Sequence, residues 1–171
     1  MAADILVELF VHLARILAGI VLSAGALYTG IGLLDSLTQG IDEWKQIKKG
    51  NSAVALFYAA VMISIILLTG PRIMDFLYSI TLCGDALLLL VKLLFALFNY
   101  LLGLGVAVLA IFLTIHIIDY LTADLEEMKE LQKGNVAIAL IMSVVLFSVS
   151  FMLQAPIESL FSTIKSMELF L

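Results

Sequence analysis

Apolar residues in this chain run in long unbroken stretches, and charges fall between them. Four stretches are long enough to span a bilayer: about 13–34, 52–70, 97–118 and 136–155. A span needs roughly 20 mainly apolar residues, because the hydrocarbon core is about 30 Å thick. Hydrocarbon offers no partner for a backbone amide, so each stretch is expected to be an α-helix. The first and third sit inside longer apolar runs that begin near Ile5 and Ala86. Ile5–Leu34 as one helix would be about 45 Å long at 1.5 Å per residue, more than a bilayer needs. Tilt, a break near the glycines or burial of the outer part would each absorb the excess.

The segments between the first and second spans and between the third and fourth resemble one another. Residues 35–51 read DSLTQGIDEWKQIKKGN and residues 119–135 read DYLTADLEEMKELQKGN. A shift of 84 aligns Leu34–Leu56 with Ile118–Leu140, with 11 of 23 positions identical. Gly19 and Gly103 keep that register, and Pro71 meets Pro156 after a one-residue slip. Periodicity of this kind marks an internal duplication. The expected fold is an all-α membrane protein with four transmembrane helices in two tandem two-helix repeats, residues 1–84 and 85–171. A two-span unit returns to its starting side, so both copies share one orientation, related by a pseudo-two-fold axis along the membrane normal.

Each connector has a helical pattern of its own. Ile41, Trp44 and Ile47, like Leu125, Met128 and Leu131, form a narrow apolar stripe, expected to lie on the membrane surface with Trp44 at headgroup level. Gly50 and Gly134 suit a left-handed helix C-terminal cap. Asn51 and Asn135 suit the N-terminal cap of the next span. Lys-Gly-Asn thus reads as a helix–turn–helix corner. The prolines are expected to end the even spans, with short surface helices over 73–80 and 157–164.

Asp35 and Asp119 end the odd spans, where the helix dipole disfavours an acid. Two readings stand: a symmetry-paired polar or ion site near one membrane face, or solvated boundary charges paired with Lys45 or Lys129. An ionisable group at membrane depth is a functional candidate by default. Thr38 and Thr122 are expected to cap the connector helices. His116 shares a helix face with Asp119 and reads either as a proton relay or as a hydrogen-bonded boundary residue. Its counterpart is Gly32, so that feature is not repeated.

Composition narrows the function. The chain has 171 residues, of which 63% are hydrophobic and 13% charged, so lipid rather than water is its expected solvent. A net charge of −5 leaves no basic patch for nucleic acid. One cysteine, Cys83, excludes an internal disulfide, and two distant histidines, His12 and His116, make no metal site. The start does not read as a cleaved signal peptide, because Asp4 and Glu8 occupy the place of the positive region. No nucleophile–base pair, phosphate loop or cofactor motif is present, so neither an enzyme nor a cofactor is expected. Five of nine Lys and Arg lie in the connectors. The positive-inside rule then places 35–51 and 119–135 in the cytoplasm and both termini outside.

The doubled Asp-x-Leu-Thr…Glu-x-Lys…Lys-Gly-Asn-x-Ala-x-Ala-Leu signature resembles the YjfL-type inner-membrane proteins, a prokaryotic family catalogued as domain of unknown function number 350. The resemblance implies a small integral protein of the prokaryotic plasma membrane and brings no activity with it. Departures from an exact repeat fall at His116, at Gly40 against Asp124, and at the prolines. The partners expected are the bilayer, further copies of the chain in a homo-oligomeric pore or ion-handling protein, or, alternatively, a cytosolic protein docked on the connectors of a scaffold.

Overall fold

The computed structural model describes residues 2–37, 43–81, 86–122 and 126–168. They form four long helices and two short ones: α1 (Ala2–Leu37), α2 (Glu43–Lys48), α3 (Ser52–Ser79), α4 (Ala86–Leu121), α5 (Glu127–Gln132) and α6 (Val136–Glu168). The four long helices are long and apolar enough to cross a membrane. α1 and α4 are continuous helices of 36 residues each, about 54 Å long, with no break at their glycines.

The prolines do not end the even spans. Pro71 lies inside α3 and Pro156 inside α6. No separate helix follows either one; the residues expected to form surface helices continue the spans instead. The physical reason is visible at Pro71. A proline in a helix interior removes the donor to the carbonyl four residues earlier. That carbonyl belongs to Leu67, and it accepts a hydrogen bond from the Gln154 side-chain amide of α6 at 3.1 Å. The freed acceptor is satisfied by the neighbouring helix, so the helix continues.

This bond is one of two that pin α3 to α6. Ser143 Oγ donates to the Leu56 carbonyl at 3.4 Å. Both pairs are separated by 87 residues, a constant offset that requires the helices to run parallel and in register. Small residues are buried on both helices, Ala53, Ala60 and Ser64 of α3 and Ala139, Ser143 and Ser150 of α6. Lipid tails are as apolar as leucine, so association rests on such close packing and on interhelical hydrogen bonds.

α3 is the hub, packing against α1, α4 and α6. Its buried face carries Phe57, Val61, Ile65 and Leu68, which meet Ala26 and Leu33 of α1, Ala107 and Ile111 of α4, and Met142 and Leu146 of α6. Gly30 brings α1 close, since a Cβ there would come within 2.7 Å of Ile65 Cδ1. Among the described residues, α1 and α6 have no interface comparable to that of α3 with α4, the pair that the repeat register relates to them. The long helices therefore have unlike environments: α3 is enclosed, and α1 is peripheral, with Leu6, Phe10, Leu17 and Val21 exposed.

The bond to Leu67 gives a first prediction. Gln154→Leu leaves a buried carbonyl unsatisfied and lowers stability by about 1 kcal/mol. Adding Pro71→Ala, which restores the intrahelical donor, recovers most of that loss. A double-mutant cycle of unfolding in mixed micelles reads both values, and strictly additive losses would refute the assignment.

Candidate functional site

The two connector corners follow the same construction. Gly50 and Gly134 sit at φ 84° and 83°, where glycine has no steric penalty. Gly50 N–H donates to Ile47 and Asn51 N–H to Gln46, while Gly134 N–H donates to Leu131 and Asn135 N–H to Glu130. This pair of bonds is the Schellman motif in both copies. Asn51 Oδ1 then accepts from the amides of Ala53 and Val54, and Asn135 Oδ1 from those of Ala137 and Ile138. Lys-Gly-Asn makes a helix–turn–helix corner at both positions.

The donor side of the two asparagines differs. Asn51 Nδ2 reaches across to the carbonyls of Leu131 and Gln132, at 2.9 and 3.1 Å, and ties the two corners together. Asn135 Nδ2 stays local, on Glu130 Oε2 at 2.9 Å. Lys133 Nζ meets the other Glu130 oxygen at 2.6 Å. These contacts hold the Glu130 carboxyl below its ordinary range, chiefly through the Asn135 amide and then Lys133, and they raise Lys133 in return. The equivalent of Glu130 in the first copy is Gln46, which does not titrate.

The connector stripes face the protein more than the headgroups. Leu131 is part of the core, with Ile47 and Met128 packed against it. Trp44 is half exposed and meets the Tyr58 ring edge-on at 5.6 Å. Ile41 and Leu125 lie outside the described residues. Glu127 is buried, and its Oε1 has no hydrogen-bond partner.

Asp35 and Asp119 are both exposed, and among the described residues neither forms an ion pair or a hydrogen bond. His116 donates through Nδ1–H to the Phe112 carbonyl at 3.0 Å, and its ring lies against the Phe112 ring. It makes no bond to Asp119, as a proton relay would need. Thr122 does not cap α5. Its hydroxyl bonds back to the Ile118 carbonyl at 2.7 Å, and the N-cap of α5 is Glu126, without a side-chain bond. A carbonyl four residues back is closer to a threonine hydroxyl than the start of the next helix. Thr38 lies outside the described residues. Among the described residues no group of His, Cys, Asp or Glu is placed to hold a metal ion.

The principal ionic site lies at the opposite end of the bundle and was not anticipated. Arg72, one residue after Pro71, is 4% exposed. Its Nη1 pairs with Asp75 at 3.0 Å and its Nη2 with Glu158 of α6. The guanidinium lies 4.5 Å over the Phe161 ring, and its Nε–H has no acceptor. The side-chain stem lies against Gly103 of α4, where a Cβ would come within 2.4 Å of Arg72 Cγ. The nearby Tyr100 hydroxyl, on α4, donates to the Leu22 carbonyl of α1 at 2.8 Å. Thus α3 supplies the charge, α6 the counter-ion and aromatic face, and α4 the space. Arg72, Asp75, Tyr78, Lys92, Phe95 and Asn99 border a cleft of about 280 Å³. Read alone, Arg72 is one of several scattered cations; the signal available was its place beside the proline of an apolar run.

A family model described as a domain of unknown function, DUF350, matches residues 5–102 and again 89–170. No curated protein matches the chain, and no solved structure does.

The unequal corners carry a pH prediction. Glu130 titrates lower folded than unfolded, so its contribution is present above the ordinary carboxylate range, near pH 4.3, and is lost as pH falls through the depressed value. Amide exchange at Gly134 and Asn135 is therefore expected to accelerate on acidification relative to Gly50 and Asn51. Equal acceleration at both corners would contradict this.

Proposed function

This chain belongs to the DUF350 family, and we propose that it is an ion-handling protein of the prokaryotic plasma membrane that works as a homo-oligomer. The observation that carries this reading is Arg72. A charge buried inside the protein at the edge of the hydrocarbon persists only with specific partners. Arg72 is held there by Asp75, Glu158, Phe161 and the absent side chain of Gly103. The register of the second copy places Pro156 or Ile157 at that position, so the duplication does not explain the charge. The interior of the protomer is filled by Ala26, Val61, Ile65, Ile111 and Leu146. A conducting path therefore needs more than one copy, and the exposed length of α1 is the surface available for it. The two repeats, 1–84 and 85–171, share one orientation, and no enzymatic step is assigned.

Flux from liposomes tests this. Wild type is expected to pass small ions, with Glu158→Gln reducing flux about tenfold, the effect of roughly 1.4 kcal/mol on a barrier. The double variant Asp35→Asn/Asp119→Asn reports separately on the connector end. A silent wild type over a range of ions and potentials defeats the reading.

A second reading, a scaffold for a cytosolic protein, is favoured by the cross-repeat bonds of Asn51, which join the two charged connectors into one platform. It requires 35–51 and 119–135 in the cytoplasm and both termini outside. Cysteines introduced as Lys48→Cys and Gln132→Cys should react with an impermeant maleimide only after the membrane is opened. Labelling of intact cells at either position excludes both this orientation and the scaffold.

A further inference from the structure

We propose that the cleft beside Arg72 holds the headgroup of a zwitterionic aminophospholipid, with its phosphodiester on the cationic side formed by Lys92 and Arg72 and its ammonium on Asp75.

The depth is right for a headgroup. Arg72 lies 20 residues from the start of α3, Glu158 lies 22 from the start of α6, and Asn99 lies 22 from the end of α4. At 1.5 Å per residue all three are about 30–33 Å from the connector end, one hydrocarbon thickness away. The cleft therefore opens at the boundary between hydrocarbon and headgroups, on the face away from the connectors.

The charge pattern selects the class of ligand. Arg72 and Lys92 are matched by Asp75 on the cleft and Glu158 at its edge. A simple anion would be drawn to the two cations and repelled by both carboxylates. A zwitterion meets both signs at once. A primary ammonium brings three donors and suits a carboxylate acceptor, whereas a quaternary one has none; Phe95 and Tyr78 add aromatic surface for a cation.

The shape points to a lipid rather than a soluble metabolite. A volume of about 280 Å³ accommodates a headgroup and not the acyl chains. One turn deeper, on the same stripe of α4 as Phe95 and Asn99, Leu102 is exposed, as is Phe98 beside it. That apolar surface gives the chains a path into the bilayer. This inference concerns the same cluster as the ion-handling reading and does not require that ions pass.

The experiment is native mass spectrometry of the protein released from bilayers of equal phosphatidylethanolamine, phosphatidylglycerol and phosphatidylcholine. Retained phosphatidylethanolamine is expected to exceed each of the others about fivefold, the factor corresponding to about 1 kcal/mol per charged contact. Lys92→Ala, at an exposed position, should lower retention of all three lipids. Asp75→Asn should abolish the preference for the ethanolamine headgroup alone. No retained lipid, equal retention of the three, or a pattern unchanged in both variants overturns the proposal. Displacement of the bound lipid by millimolar soluble phosphoethanolamine overturns the lipid assignment in favour of a soluble ligand. Lipid retention is read without any flux measurement, so its failure is distinct from failure of the ion-handling reading.

Discussion

The structure depends on one contact, between α3 and α6. In hydrocarbon a backbone carbonyl without a donor is destabilising, and Pro71 creates one, at Leu67, in the most buried helix. Gln154 supplies the missing donor from α6. Because the donor is on another helix, the proline is tolerated only when α3 and α6 lie parallel at one register, and Ser143 on Leu56 holds the same register three turns away. The ion pair of Arg72 with Glu158 follows from it, since Glu158 is one turn beyond Gln154 and Arg72 immediately follows the proline.

That register also accounts for the asymmetry of a duplicated chain. Two identical two-helix units would pack about a two-fold axis, but here α3 is surrounded and its counterpart α6 is not. Gln154 has no glutamine equivalent in α3, and Arg72 has no charged equivalent in α6. Residues at a few positions thus set the hub apart from the periphery. The connector corners are alike because their hydrogen bonds are local, and they differ at the Nδ2 donors, where Asn51 reaches across to the other corner and Asn135 stays within its own.

The two ends of the bundle are chemically distinct. The connector end carries charges on short helices, paired within one turn and exposed, as Lys129 with Glu126 and Lys133 with Glu130. Exposed pairs of this kind contribute little to stability. The opposite end concentrates a buried guanidinium, two carboxylates and an aromatic face in a cleft between three helices. Desolvation makes each of those contacts consequential. Functional interest therefore moves from Asp35 and Asp119, which stand apart and exposed, to Arg72 and the residues around it.

The sequence by itself determined what depends on nearest neighbours and on solvent. Long apolar runs with intervening charge specify four helices long enough to span, because a continuous apolar segment satisfies its own backbone in lipid only as a helix. Lys-Gly-Asn specifies the corners, because a left-handed glycine and an asparagine cap need only residues within one turn. Only the tertiary structure decided the rest. Pro71 reads as a helix end until Gln154 is placed against Leu67, and Thr122 reads as a cap until its hydroxyl is seen bonded to Ile118. The connector stripes read as membrane-facing until Leu131 is found in the core. Arg72 reads as one scattered cation until α6 and α4 bring it Glu158, Phe161 and Gly103. In each case the deciding group came from the neighbouring packing or from a competing acceptor, and helical periodicity records which face of a helix is apolar, not which helix will cover it.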